Sequence, residues 1–224
     1  FLLDYHGGAR DRRAPPPPSE PKETIPFALP PANADDRRVT AYLSKKRCIA
    51  PQVIRGFIAA GLLYEEAKYH NCVFVGKDGQ GKAVYCAKRG TYDKNGVSFR
   101  AGVPGSDKET GFRLPCSKKS MRVFVFEAPI DLMSYCTLHR NVKDSAVALC
   151  GLYEGPLDSY LRDYPQLRRV DLCLDADGPG QAAASRLKQK YEAQGYAVAV
   201  HTPPRGKDWN EFLQLRQKCR GQER

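Results

Sequence analysis

The stretch VDLCLDADGPG, residues 170–180, runs an apolar segment into two carboxylates, Asp175 and Asp177, and then breaks into glycine and proline. Its meaning depends on its neighbours. Similar apolar runs stand at RVFVFE (122–127), AVALC (146–150) and YAVAVHT (196–202). Helical patterns separate them: a segment from Pro129, then GPLDSYLRDY, QAAASRLKQKYEAQ and DWNEFLQLR. Strands alternating with helices of this length predict parallel βαβ units, here a four-stranded parallel sheet with helices on both faces. Ligands of such sheets bind beyond the carboxyl ends of the strands, where Asp175 and Asp177 lie.

The chain upstream is organised differently. Residues 15–31 hold 8 of the 17 prolines, which predicts an extended linker over residues 1–32. A basic α+β subdomain is expected over 33–118, the α/β domain over 119–213 and a basic tail over 214–224. Within the subdomain, Val39, Tyr42 and Leu43 mark one helix, and Val53, Ile54, Phe57 and Ile58 mark a second. Pro51 suits the first turn of the second helix and Gly61 its C-terminal cap. The runs NCVFVG and AVYCAKR flank KDGQGK, whose Asp-Gly pair predicts a hairpin.

Composition bounds the function classes. The chain has 224 residues, 42% of them hydrophobic, enough for a real core. Its formal charge of +11, with a pI near 9.3, favours polyanionic partners. The eight cysteines, at 48, 72, 86, 116, 136, 150, 173 and 219, form no C-x-x-C and no Cys/His cluster. They read as reduced core residues in a cytoplasmic protein, not as a zinc site or a disulfide framework. No apolar run reaches the length of a membrane span, and FLLDYHGG does not read as a signal peptide but as the remnant of a preceding domain.

Four chemistries use an acidic pair at a strand end. Gly178, Gly180 and Ala183 fit the dinucleotide pattern G-x-G-x-x-A, but the following strand ends in Val200, His201 and Thr202, without the acidic residue that holds the ribose. LCLDADG resembles the nucleophile motif of haloacid dehalogenase phosphatases, which opens its domain, whereas here only a short stretch follows Asp177. GKDGQGKA (76–83) fits the spacing of a P-loop, but Ala83 stands where Ser or Thr would hold magnesium, so Lys82 reads as a turn lysine. The fourth reading adds a third carboxylate. FVFEAPIDLMS places Glu127 at the end of the first strand and Asp131 one helical turn later. If the first and third strands are neighbours, Glu127, Asp175 and Asp177 converge on one crevice, and a hard divalent cation offsets their repulsion.

A strand ending in Glu, followed by a strand ending in D-x-D and small residues, resembles the TOPRIM domain shared by topoisomerases, primases and certain nucleases. The resemblance covers about residues 120–213. It implies that Glu127, the acid/base glutamate, Asp175 and Asp177 are catalytic, that all three bind Mg²⁺ or Mn²⁺, and that Asp131 and Asp208, acidic positions seen in primases, complete the metal ligands. Ala128 stands where the family often has Gly, and Pro179 follows the D-x-D-G closely. Both Asp131 and Asp208 have structural alternatives, as a residue in a helix's first turn and as an N-cap with Glu211 three residues on.

AYLSKKRCIAPQVIRGFIAAGLLYE, the hairpin and KETGFRL resemble the segment preceding TOPRIM in bacterial primases, most closely in primase-like proteins of mobile elements. That resemblance implies a primase-like nucleotidyltransferase acting on DNA or RNA with nucleoside triphosphates, alongside replication or mobilisation proteins. Lys82, Lys88, Arg89, Arg100, Lys108, Arg113 and Lys207 are the candidate nucleic-acid ligands. The alternatives are a TOPRIM nuclease and a noncatalytic DNA-binding module. A topoisomerase would need a further domain bearing a nucleophilic tyrosine.

Overall fold

The computed structural model describes residues 25–94, 97–139 and 145–222. Most of the expected linker, the N-terminal FLLDYHGG and the last two residues lie outside them.

The upstream part begins with a short helix α1 (Arg37–Ala41) that runs directly into one π-helical stretch over Tyr42–Lys46. Helix α2 (Pro51–Ala59) starts at Pro51 as expected. It ends in a paired cap. Gly61, at φ +62°, donates its N–H to the Ile58 carbonyl, and Leu62 donates to Phe57. This 6→1 and 5→2 arrangement satisfies the last carbonyls and needs a residue at ease with positive φ.

Four antiparallel strands follow in sequence order: β1 (Leu63–Glu65), β2 (Cys72–Lys77), β3 (Ala83–Lys94) and β4 (Val97–Gly102). The turn between β2 and β3 is held by Asp78, whose Oδ1 accepts the N–H groups of Gln80 and Lys82 at 2.9 Å each. The P-loop-like string is therefore a hairpin turn, with no helix after it to present a phosphate cradle.

The second sheet has the order β5-β7-β6-β8-β9. Its parallel part is β6 (Arg122–Phe126), β7 (Ala146–Ala148), β8 (Arg169–Leu172) and β9 (Ala197–Val200), and β6 lies between β7 and β8. The first and third strands of the alternation are thus neighbours. A correction concerns the edge. Strand β5, only Phe112–Arg113, pairs antiparallel with β7, so the sheet has five strands rather than four. Two residues are too few to show any period in the sequence.

Helices α4 (Gly155–Asp163) and α5 (Gly178–Ala193) cover one face, where Val123, Val125, Val147, Val170 and Leu172 meet Leu157, Tyr160, Leu187 and Tyr191. Helices α3 (Pro129–Leu138) and α6 (Trp209–Gln222) cover the other. Strands buried on both faces explain the near-continuous apolar runs. The core under α3 and α6 continues without a break into the upstream part: Phe126, Met133 and Trp209 share it with Leu43, Ile54, Phe74 and Phe112. Because α6 runs to Gln222, the expected basic tail is the end of that helix. None of the eight cysteines is in a disulfide. No helix among the described residues is long and apolar enough to cross a membrane.

Candidate nucleotide and metal site

Beyond the carboxyl ends of β6 and β8, where the two sheets face each other, lies a cavity of about 420 Å³. One wall is acidic. Glu127 follows β6 directly and is half-buried; Asp131 sits in the first turn of α3; Asp175 is three residues past β8; Asp208 precedes α6. The facing wall is basic, with Lys88 and Arg89 from β3, Arg100 from β4 and Arg47 just after the π-helical stretch. Two chain segments far apart in sequence thus present opposite charges to one space.

The acidic wall crowds carboxylates together, with Lys207 as the cation beside them. Burial, then the charges of Glu127 and Asp208, push the Asp175 carboxyl up to about 7. Burial and the Asp177 charge likewise raise Glu127. Asp131 is raised well above the ordinary carboxylate range, first by its burial and then by Asp208 and Asp175. It is not the solvated helix-start residue that its position allowed: at 6% exposure it accepts the Asn210 N–H through Oδ1 at 3.1 Å. Asp175 Oδ1 is buried without a hydrogen-bond partner, and so is Arg89 Nε on the opposite wall. Buried polar atoms of native proteins are normally satisfied, so an orphan acceptor and an orphan donor lining one cavity fit ligands of opposite sign.

Asp177 departs from its expected place. It does not line the cavity; it caps α5, its Oδ1 accepting the Gly180 N–H at 2.9 Å. This bond, with the Lys207 ammonium, holds its carboxyl below the ordinary value. The Gly178 to Gly180 segment is therefore the first turn of α5. Gly180 is there for contact: a Cβ would stand 2.3 Å from the Asp175 carbonyl oxygen. Asp208 is a cap too, its Oδ1 accepting the Glu211 N–H at 2.7 Å, and it lines the cavity at the same time.

The basic candidates divide. Arg89 and Arg100 line the cavity, as do Lys88 and Lys207. Lys82 and Lys108 are exposed and lie outside it. Arg113 lies apart from the cavity: it is 4% exposed, pairs with Asp163 at 2.7 Å and donates from Nε to the Lys77 carbonyl at 2.6 Å. Its neighbours in the sequence gave no sign of burial, because β5 is two residues long. Arg47 and Asn210 were missed. Arg47 Nη1 donates to Asn210 Oδ1 at 3.3 Å, and Asn210 Nδ2 donates to the Arg47 carbonyl and to Ser134 Oγ. The last of three basic residues in YLSKKR carries no local signal for this, since Asn210 lies 163 residues away.

An all-carboxylate donor set suits a hard divalent cation with oxygen ligands. The orphaned Asp175 Oδ1 is the atom that such an ion would satisfy. As the side chains lie, however, no group of three or more His, Cys, Asp and Glu among the described residues is gathered closely enough to hold an ion.

Comparison with protein families places this geometry. Residues 124–213 match the family described as Toprim-like, and residues 41–120 match the one described as a protein of unknown function, DUF3991. The chain carries a Toprim-like domain preceded by a DUF3991 domain. Both acidic strand ends and Asp208 fall within the Toprim-like domain, whereas Arg47, Lys88, Arg89 and Arg100 fall within the other. An uncharacterized Bacillus anthracis protein, pXO2-78, is 28% identical over 180 residues, which is 74% of this chain and 51% of that protein; the chain spans about half the relative's length.

Solved structures similar to the whole described fold are primase cores. The primase fragment of the bacteriophage T7 primase-helicase has a TM-score of 0.58 at 21% identity, over 79% of this chain and 69% of that one. The DnaG primase catalytic domain bound to ssDNA has 0.56 at 17%, over 83% and 70%. The RNA polymerase domain of Mycobacterium tuberculosis DnaG has 0.56 at 20%, over 83% and 74%. The Toprim-like domain and the segment before it therefore share the primase fold.

Proposed function

We propose that the chain is a primase-like nucleotidyltransferase that joins nucleotides on a nucleic-acid template at the cavity between its two domains. The observation that carries this reading is the pairing of walls: orphaned Asp175 Oδ1 on the Toprim-like side and orphaned Arg89 Nε on the other, lining one cavity of about 420 Å³. That space is of the size that takes a small ligand such as a nucleotide. The basic wall fits the phosphates, and the acidic wall fits the cation that accompanies them.

In this reading Asp175 and Asp177, with Glu127, would hold Mg²⁺ or Mn²⁺, and Asp131 and Asp208 would complete the acidic ligand set. When bound, such an ion supplies Lewis acidity toward the triphosphate. Arg89, Arg100 and Arg47 orient the phosphates and share the charge that develops on them during transfer. Glu127, whose carboxyl is lifted by burial, accepts the proton of the 3′-hydroxyl as that oxygen bonds to the α-phosphorus of the incoming nucleotide and pyrophosphate leaves. DNA or RNA, nucleoside triphosphates and the replication or mobilisation proteins of a mobile element are the partners that the reading implies.

Incubation of the protein with end-labelled single-stranded template, NTPs and Mn²⁺ tests it. New oligonucleotides are expected. Shortened template would make it a nuclease instead, and salt-sensitive binding with neither product would make it a noncatalytic module.

A further inference from the structure

A protein cation stands between the two aspartates of the D-x-D pair. Lys207 Nζ lies 3.0 Å from Asp177 Oδ2 and 3.9 Å from Asp175 Oδ2. The main chain of Lys207 is pinned from both sides. The N–H of Ala176, the residue between the aspartates, donates to the Lys207 carbonyl at 2.7 Å, and the Lys207 N–H donates to Glu211 Oε2 at 2.6 Å. Gly206, at φ +81°, makes the left-handed turn that delivers this register. The side chain itself is 56% exposed, and its ammonium end meets the two carboxylates.

An ammonium is a compact point charge on a flexible stem, so it can leave without disturbing the backbone. A divalent cation and an ammonium cannot share the same carboxylate oxygens, because they repel at contact distance. A pinned backbone with a swinging cationic end is the arrangement that an exchange requires.

We propose that Lys207 is the resident counter-ion of Asp175 and Asp177: it occupies their oxygens in the absence of a divalent cation and is displaced when one binds, so that it sets the affinity of the site. This rests on the metal-dependent reading above. Only a cation of higher charge competes effectively for oxygens already neutralised in part.

The test is a Mn²⁺ titration of the full chain, with free ion read by electron paramagnetic resonance, for the wild type, Lys207→Met, Lys207→Arg and Arg100→Met. Removing a direct competitor should tighten Mn²⁺ binding about tenfold in Lys207→Met, while Lys207→Arg stays close to the wild type. Arg100→Met removes a charge from the same cavity without touching the aspartates and should tighten binding much less. Equal or weaker binding in Lys207→Met, or equal tightening in Arg100→Met, would overturn the exchange while leaving the metal site standing. No Mn²⁺ binding in any variant would overturn both the exchange and the reading that it rests on. Nitrogen-15 NMR of the Lys207 ammonium in the wild type gives a second readout: its resonance should shift as Mg²⁺ saturates the site, and an unmoved resonance at saturation contradicts displacement.

Discussion

Asn210, at the start of α6, donates its side-chain amide to the main-chain carbonyl of Arg47 at 2.8 Å, while Arg47 Nη1 donates back to Asn210 Oδ1 at 3.3 Å. The same amide reaches Ser134, and the Asn210 N–H reaches Asp131. One buried residue therefore ties the upstream domain to α3 and α6 and sets where Arg47 stands relative to the acids. Replacing it by Leu strands the Arg47 carbonyl and removes the acceptor of Arg47 Nη1, each unsatisfied group costing roughly 1–3 kcal/mol. Asn210→Leu should lower unfolding stability by about 2–4 kcal/mol in urea titrations, and a loss under 0.5 kcal/mol would show that the joint is held by apolar packing alone.

Gly180 and Gly178 make a matched pair. A methyl on Gly180 would enter the Asp175 carbonyl, whereas one on Gly178 would meet nothing within 4 Å. Gly180→Ala should destabilise by about 1–3 kcal/mol, the usual range for overpacking, and move Asp175 away from its place. Gly178→Ala should be neutral or slightly stabilising, because it restricts the unfolded chain. Thermal melts of the two variants side by side check this; equal melting temperatures would contradict the packing argument.

Much of this was legible in the sequence, for stated reasons. Strands buried on both faces leave apolar runs, so RVFVFE and VDLCLD announced themselves, and their acidic ends marked the site. Asp131 was ambiguous because a carboxylate in a first helical turn is ordinary on a surface; only the packing of α6 over α3 buries it. Arg113 looked like any basic residue in a loop, because its partners, Asp163 and the Lys77 carbonyl, are remote in the chain. Lys207 read as a phosphate ligand, since nothing local reveals that Gly206 turns it toward Asp177.

The two arginines of the upstream domain should separate cleanly. Arg113 is buried, pairs with the more exposed Asp163 and stacks over Tyr160 at 5.7 Å, so Arg113→Met should cost about 1–3 kcal/mol of stability, chiefly by leaving the Lys77 carbonyl unanswered. Arg89→Met should leave stability within about 1 kcal/mol, since burial already depresses the guanidinium and its Nε has no partner, and should weaken nucleotide binding at least tenfold. Urea midpoints and fluorescent nucleotide titrations distinguish the two. Equal effects of both on binding would remove Arg89 from the site.

Asp171 in β8 gives a pH dependence. It is fully buried and accepts from Arg169 Nε and Nη2, with His201 Nε2 at 2.7 Å. Burial raises its carboxyl, but the hydrogen bonds from Arg169 and His201 outweigh burial and hold it below its ordinary value of 3.8. The folded state therefore binds this proton less readily than the unfolded one. The stability that it contributes is present above pH 3.8 and is lost as the pH falls below that value, through the lower folded pKa. Asp171→Asn should cost about 1–3 kcal/mol at pH 7, an estimate discounted for the half-exposed arginine, and the gap from the wild type should close toward pH 3. A gap that stays constant over this range would contradict the assignment.

The aspartates of the site should behave in the opposite way, with function lost and fold kept. Asn caps a helix as well as Asp does, so Asp177→Asn should change stability by less than about 0.5 kcal/mol. Asp175→Asn removes a buried charge repelled by Glu127 and Asp208, and should melt no lower than the wild type. Each should lower Mn²⁺-dependent oligonucleotide synthesis at least a hundredfold, the scale of a lost electrostatic contact at a reaction centre. Unchanged synthesis in the double variant would remove the pair from the reaction.

The most direct measurement is the anomalous difference density of a crystal of the wild-type chain soaked in Mn²⁺. The account predicts a peak within coordination distance of both Glu127 and Asp175, with Lys207 withdrawn from Asp177. Density that places no ion between those carboxylates at saturating Mn²⁺, in a crystal whose cavity is open to solvent, would contradict it.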